Sequence, residues 1–420
     1  PFVFSVHSED ALHNPEVTAP RTASPPTIDG AINDVEWRHA ARLTGFISMN
    51  KAMAEPPSEG FVAYDKENLY LAARIRRDFR VPFKTEATTR DGLVMRDDAV
   101  ELWLRPHEDH GNFAFVMNTK GVVADFNDVK DRFAWNAEWD YKVKVYEDRW
   151  EAEYKIPFSE LGFAPAPGDR WGFNLCYYKF DPNLDWCGWS YTEKFTNCHP
   201  FQGKLIFGES LACRLDSIGQ FTMDRAGLTG RVINTSEAPA RVKTSFTLYR
   251  KTDGDGELFW KYAHANYEKL DTAEAEISVA PGAETPLSYS QPIEPGEYLL
   301  SCRVAGLADD SALLAQDVPF VVYSKIRMTV MPYFLTRGEV KVSVDLRSVL
   351  DEIAPESSVR FSIGDRVMQT VPATERFEAW LDVSELPTGT HAVTAAIVDK
   401  DGRTANTSVV SFEKPTTPVW

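Results

Sequence analysis

Apolar and polar residues alternate with a period of two along most of this chain. In "AVELWLRP" (99–106), Val100, Leu102 and Leu104 point one way, and Glu101, Trp103 and Arg105 point the other. "EGFVAYD" and "NLYLAARIR" are joined by a tight Asp-Lys-Glu-Asn turn and read as a hairpin. "GNFAFVMNTKG", "WDYKVKVYED", "RWEAEYKIPF" and "RWGFNLCYYKF" follow at hairpin spacing, and "PFQGKLIFGES" (200–210) reads as a closing strand. Helical character is confined to short pieces, a single turn in "DVEWRHA" (34–40) and "PFSELG" (157–162). Short strands between Gly, Pro and Asp turns predict an antiparallel sandwich.

The pattern restarts twice, which divides the chain. Residues 1–26 read as an N-terminal extension and linker, Pro- and Thr-rich in "VTAPRTASPPTIDG" and ending at the Asp29-Gly30 turn. A first β-sandwich is expected over 27–210. Two further units, 211–323 and 324–412, have the size of immunoglobulin-like β-sandwiches, and 413–420 reads as a linker. The expected fold class is all-β, an N-terminal β-sandwich followed by two immunoglobulin-like sandwiches.

Charge narrows the partners. The 420 residues carry 45 Lys and Arg against 62 Asp and Glu, a net charge of −17. That repels phosphate backbones and anionic lipid, so neither nucleic acid nor membrane is an expected partner. No apolar run approaches the ~20 residues of a membrane helix. The chain opens with Pro1 and carries no signal peptide, so its start is expected to be processed or cut. The acidic surface points to a secreted or periplasmic protein. The five cysteines lack CxxC spacing, which argues against structural zinc. Cys187 and Cys198 bracket one aromatic loop, and both a bridge and buried free thiols are compatible with that spacing.

Most familiar catalytic signatures are absent. The sequence holds no GxSxG, GxxxxGK, GxGxxG, HExxH or CxxCH. His107 and His110 flank Glu108 and Asp109 in what reads as a hairpin loop, a polar turn more than a metal site. Asp97, Asp98 and Glu101 are the serious acid/base candidates. Glycoside hydrolysis needs two carboxylates opposed across a substrate, about 5 to 9.5 Å apart, and residues of one strand end do not oppose each other. No catalytic constellation is therefore assigned to this chain.

Seven segments carry a resemblance: "TIDGAINDVEW", "FVAYDKENLYLAARIRRD", "RDDAVELWLRP", "NFAFVMNTKGVVADF", "WEAEYKIPFSELG", "GDRWGFNLCYY" and "HPFQGKLIF", in that order over about 27–210. Together they resemble carbohydrate-binding module family 9. That resemblance implies a carbohydrate-binding-type β-sandwich, sugar held between two tryptophans, and bracing calcium. It makes Glu101 a sugar contact. It also implies that Met95 and Asn197, or a neighbour, stand where the paired tryptophans would be, and that an expected arginine on the "NFAFVMN" strand is missing. A sugar site would then be rebuilt from other aromatics. Eight of the eleven tryptophans precede residue 210. Of these, Trp186 and Trp189, with Tyr191, lie in "DWCGWSYTEKF", and Trp135 and Trp139 lie in "FAWNAEWD". Aromatic faces take the CH face of a pyranose while carboxylates and amides fix its hydroxyls. Packing is the competing role for all four tryptophans, and Trp150 and Trp171, which begin regular strands, fit packing best. Asp97 and Asp98 are expected at a strand start, capping a turn or holding a structural cation such as calcium.

The order of units resembles the accessory front of a modular glycan-active enzyme. It implies a glycan or glycan end as partner and a further domain in the same polypeptide, glycoside-hydrolase-like. Three readings stay open: a carbohydrate-binding and spacer region; sandwiches that have lost sugar binding and only scaffold or dock a catalytic neighbour; and an enzyme active within these residues. A haem-binding variant of the sandwich, with Met95 or His199 as axial ligand, is the remotest.

Overall fold

The computed structural model describes residues 14–49, 52–77, 82–107, 111–128, 135–180, 184–191, 203–222, 225–252, 267–322, 326–332, 337–347, 349–350 and 353–415. The fold is all-β. Among the described residues the helical elements are the 3-10 turn Val94–Arg96 and the single turn Phe158–Leu161. The chain divides into two compact units, Pro1–Ile293 with Glu297–Val321, and Val322–Trp420 with Glu294–Gly296.

The first unit is built on two large sheets. The longer sheet runs in the order Tyr267–Val279, Ala240–Lys251, Gly296–Gly306, Ala312–Val322, Glu16–Ala19, Gly203–Phe207, Arg170–Phe180, Ala99–Arg105, Phe113–Asn118, Val123–Asn127, with Leu184–Gly188 pairing beside Arg170–Phe180. The other runs Glu284–Pro292, Arg225–Asn234, Leu211–Thr222, Ala41–Leu43, Glu59–Tyr64, Asn68–Arg76, Arg149–Pro157, Asp140–Val145. The hairpin read from "EGFVAYD" and "NLYLAARIR" is present, with Phe61 opposite Ala72.

Neither sheet stops at residue 210. Glu16–Ala19, expected inside a leading linker, is a strand. It pairs parallel with Gly203–Phe207 (Val17 opposite Leu205) and antiparallel with Ala312–Val322 (Val17 opposite Leu314). Thr18 Oγ1 donates to the Ala312 carbonyl at 2.5 Å, and Val17 and Ala19 are buried. In the second sheet Arg214 stands opposite Arg42 in a parallel pair. Residues 27–210 and 211–322 thus share both sheets.

Aromatic residues fill the space between the sheets. Tyr64, Phe158, Trp171 and Phe207 meet edge-on at 4.7 to 6.5 Å. Trp150 and Trp171 are both buried, which is their expected packing role. The sheets approach so closely at Gly60 that a Cβ there would lie 2.6 Å from Leu175 Cδ2. The strand Ala99–Arg105 is buried on both faces. Val100, Leu102 and Leu104 lie on one; on the other, Ala99 and Trp103 pack with Val94, Ala114, Val116 and Phe126, beneath the segment that leads into the strand.

The outer face of the second sheet is covered in part by a strap, residues 27–38. Two glutamates of Arg149–Pro157 hold it. Glu153 accepts from the backbone N–H of Asp29 (3.0 Å) and Gly30 (2.8 Å) and from the Trp37 indole (2.8 Å). Glu151 accepts from Ile32 N–H at 2.9 Å and pairs with Arg74 at 2.8 Å and Arg149 at 3.0 Å. Gly30 sits at φ +89°, and a Cβ would meet the Val143 backbone at 2.8 Å, so the Asp29-Gly30 turn lies flat on the sheet. The turn expected at 34–40 closes with Trp37 N–H donating to Asn33 at 3.0 Å.

The second unit is a smaller sandwich. One sheet holds Arg327–Met331, Glu339–Asp345 and Arg376–Asp382; the other holds Arg366–Pro372, Ser358–Ile363, Gly389–Val398 and Thr404–Lys414. Val340, Val342 and Val344 alternate inward, as do Val359, Phe361 and Ile363, which is the period-two pattern read from the sequence.

Candidate functional site

The acidic stretch is a set of staples. Asp97, wholly buried, accepts from the backbone N–H of Glu86 (2.8 Å) and Ala87 (3.0 Å) and from Asn118 Nδ2 (2.9 Å). Asp98 accepts from Lys84 N–H (2.7 Å), Phe180 N–H (3.2 Å) and the Arg77 guanidinium (3.2 Å). Burial raises the Asp98 pKa, and the Lys84 N–H and Arg77 oppose that rise. All four carboxylate oxygens face N–H donors, the opposite of what a cation requires. Among the described residues no group of three or more His, Cys, Asp or Glu is arranged to hold a metal ion. His107 is exposed, and Glu108, Asp109 and His110 lie outside the described residues.

Glu101 lies on the covered outer face of the longer sheet. Its side chain is fully buried, and Oε2 accepts from the Tyr178 hydroxyl at 2.7 Å. Register puts Trp186 directly opposite Tyr178, so Glu101, Tyr178 and Trp186 share one face of the sheet. Trp186 stacks on Tyr191 with ring centroids 6.4 Å apart and planes 13° apart. Trp189 meets Phe173 at 5.5 Å, and its buried indole N–H has no acceptor among the described residues. Asn174 and Ser190 exchange two hydrogen bonds at 2.9 and 3.0 Å that fix the turn carrying Trp189. Trp186, Trp189 and Tyr191 are 8, 0 and 3 % exposed, so the loop read as a sugar platform is packed away. Asn197 lies outside the described residues, as do Cys198 and His199. Cys187 is a buried free thiol, its pKa pushed up to about 12 by burial and by Asp185.

Trp135 and Trp139 plug one open end of the sandwich. Trp135 meets Phe113 and Phe115 edge-on, and Trp139 stacks on Tyr154 at 5.2 Å and 9° while meeting Phe115 edge-on. Asp125 pins the segment, binding Arg90, while Arg90 also donates to the Ala137 carbonyl at 2.9 Å. Both tryptophans are thus packing residues, yet Trp139 reaches the surface at one point. There it joins Pro26, Ile28 and Tyr141 as the apolar lining of a cleft of about 570 Å³, with Asp140, Lys142 and Lys155 as its polar lining. Lys155 pairs with Asp140 at 3.1 Å across the ladder. Sequence reasoning found Trp139 and missed Tyr141, Lys142 and Lys155. The visible signal was "WDYKVKV", an edge strand with lysines on its outer face. What assembles the cleft is the start of the strap, with Ile28 and the preceding Pro26 brought alongside, a contact between residues over 110 positions apart.

No family model matches the chain, and no curated protein does. Among solved structures it is similar to a carbohydrate binding module family 9 from Caldicellulosiruptor kristjanssonii in complex with glucose, at 17% identity, over 49% of this chain and 100% of that one, with a TM-score of 0.34. The same module in complex with cellotriose aligns at 16% identity over 46% of this chain and 94% of that one, TM-score 0.34. Bacteroides uniformis beta-glucuronidase aligns at 10% identity over 63% of this chain and 27% of that one, TM-score 0.19.

Proposed function

We propose that this chain is a non-catalytic carbohydrate-binding and spacer region of a larger secreted glycan-active protein, a glycoside hydrolase by class. The single observation that carries the binding role is the cleft at the start of Asp140–Val145. It pairs an apolar lining of Trp139, Tyr141, Ile28 and Pro26 with a carboxylate and two ammonium groups. Saccharide recognition calls for that combination: apolar surface for the pyranose CH face, and a few fixed polar groups for the hydroxyls. The β-sandwich of the second unit then serves as a spacer.

A second reading has its own support. Glu101, Trp186, Trp189 and Tyr191 are all buried, which favours sandwiches that scaffold a neighbouring domain and bind no sugar.

Titration of intrinsic tryptophan fluorescence with neutral mono- and oligosaccharides separates the two. Wild type is compared with Tyr141→Ala, Lys155→Ala and Trp186→Ala. The binding reading expects a saturable signal that Tyr141→Ala abolishes and Lys155→Ala weakens, with Trp186→Ala altering stability more than affinity. Silence with every sugar, from a folded protein, leaves the scaffold reading.

A further inference from the structure

The outer face of the second sheet carries a row of arginines that the sugar cleft does not use. Arg231, Arg214 and Arg42 stand directly opposite one another on three neighbouring strands, Arg225–Asn234, Leu211–Thr222 and Ala41–Leu43. Directly opposed side chains lie within about 5.5 Å at Cβ, and like charges so placed repel. Next in the row is Phe61, opposite Arg42. The guanidinium carbons of Arg42, Arg74 and Arg214 lie 5.9, 5.9 and 5.6 Å from its ring centroid, so three cations converge on one aromatic ring.

Flanking carboxylates offset part of this charge. Glu59 binds Arg42 at 2.9 Å and Arg74 at 3.0 Å. Asp216 binds Arg42 at 2.7 Å and Arg231 at 2.8 Å, and Glu284 binds Arg38 at 2.7 Å and Arg231 at 3.3 Å. The compensation is incomplete. Six arginines and four carboxylates line a groove of about 540 Å³ in a protein of net charge −17, and Glu151 beside it adds an ion pair to Arg74 at 2.8 Å, so the charge left unpaired among the described residues is that of Arg214. Arg214 holds the centre. It is 92 % buried, donates to the carbonyls of Trp37 (2.6 Å) and Arg38 (2.7 Å), and forms no ion pair among the described residues. Burial, with Arg42 and Arg231 beside it, lowers its pKa. The Arg42 Nε–H is buried and has no acceptor among the described residues.

We propose that this groove binds an oxyanion, a carboxylate or sulfate group, between Arg42, Arg214 and Arg231. Guanidinium forks match the planar and tetrahedral oxygens of these groups, and a half-desolvated site strengthens each contact. The group can arrive on an acidic saccharide or as a free inorganic anion. The inference does not rest on the sugar cleft, which lies elsewhere on the unit and has no arginine in its lining.

The test is calorimetric titration of the full chain with sodium sulfate, with galacturonic acid and with an oligogalacturonate, at ionic strength held constant with sodium chloride. Wild type is compared with Arg231→Gln and Arg38→Gln, both on the exposed rim, and with Arg42→Gln; circular dichroism and melting confirm folding. Saturable binding that Arg231→Gln weakens roughly tenfold or more supports the groove. Tighter binding of oligogalacturonate than of sulfate assigns it to acidic saccharides; equal or tighter sulfate binding assigns it to free anions. Absence of saturable binding by all three anions, or wild-type affinity in Arg231→Gln and Arg38→Gln, overturns the proposal. Failure with neutral sugars alone bears on the cleft and leaves this groove untouched.

Discussion

At the scale of single residues, the buried carboxylates carry the strongest expectations. Asp97→Ala strands the N–H groups of Glu86 and Ala87 and the Asn118 amide. The expected cost is about 3 kcal/mol in urea unfolding, and a chelator should leave the wild-type midpoint where it is. Glu151 gives a pH dependence of known sign. Burial raises its pKa, but the bonds from Arg74, Arg149 and Ile32 N–H outweigh burial and hold it below the ordinary value. A depressed carboxyl stabilises the fold above the unfolded-state pKa, and that contribution is lost as pH falls through the folded one. Wild type should therefore weaken in urea as pH drops below about 4.5. Glu153 is pushed the other way, chiefly by burial, so its own contribution falls as pH rises. Glu151→Gln separates the two, flattening the acid limb at a cost of about 3 kcal/mol at pH 7. Sequence alone made the period-two faces of 99–105 and the packing of Trp150 and Trp171 legible. It left the role of Asp97 and Asp98 open, because their donors sit in the preceding loop and on Arg77, Asn118 and Phe180, which alternation does not reveal. Glu101 faced away from the core as read, but a covering segment buried it.

At the scale of elements, hairpins were legible and long-range pairings were not. Glu59–Tyr64 and Asn68–Arg76 meet across a four-residue turn whose residues announce it. The strap over 27–38 announces only its turns; its two anchors, Glu151 and Glu153, lie some 120 residues on. Gly30 tests this element directly. Alanine there meets both a left-handed backbone and the Val143 carbonyl region, so Gly30→Ala should lower stability by about 3 kcal/mol. Since the strap supplies Ile28 to the cleft and positions the adjoining Pro26, the same variant should weaken any saccharide signal without touching Tyr141, a result that fluorescence titration reads directly.

At the scale of the molecule, the all-β class followed from alternation and turn chemistry. The continuity of both sheets through residue 210 did not, because a four-residue strand of sequence "EVTA" inside a Pro- and Thr-rich stretch carries no periodic signal. A chain cut after residue 210 would leave Glu16–Ala19 and Ala41–Leu43 each without a strand they pair with here, exposing backbone donors and acceptors as an adhesive edge. Such a 14–210 fragment should aggregate or melt without cooperativity, whereas 14–322 should unfold in one calorimetric transition. The same strand also imposes a timetable. Glu16 is among the first described residues to leave a ribosome, yet Ala315 opposite it emerges roughly 300 residues later. At about 5–20 residues per second that is a wait of roughly 15 to 60 seconds. For that interval the nascent chain carries an unfinished sheet, and whatever shields it then matters more to its yield in a cell than any contact it makes once complete.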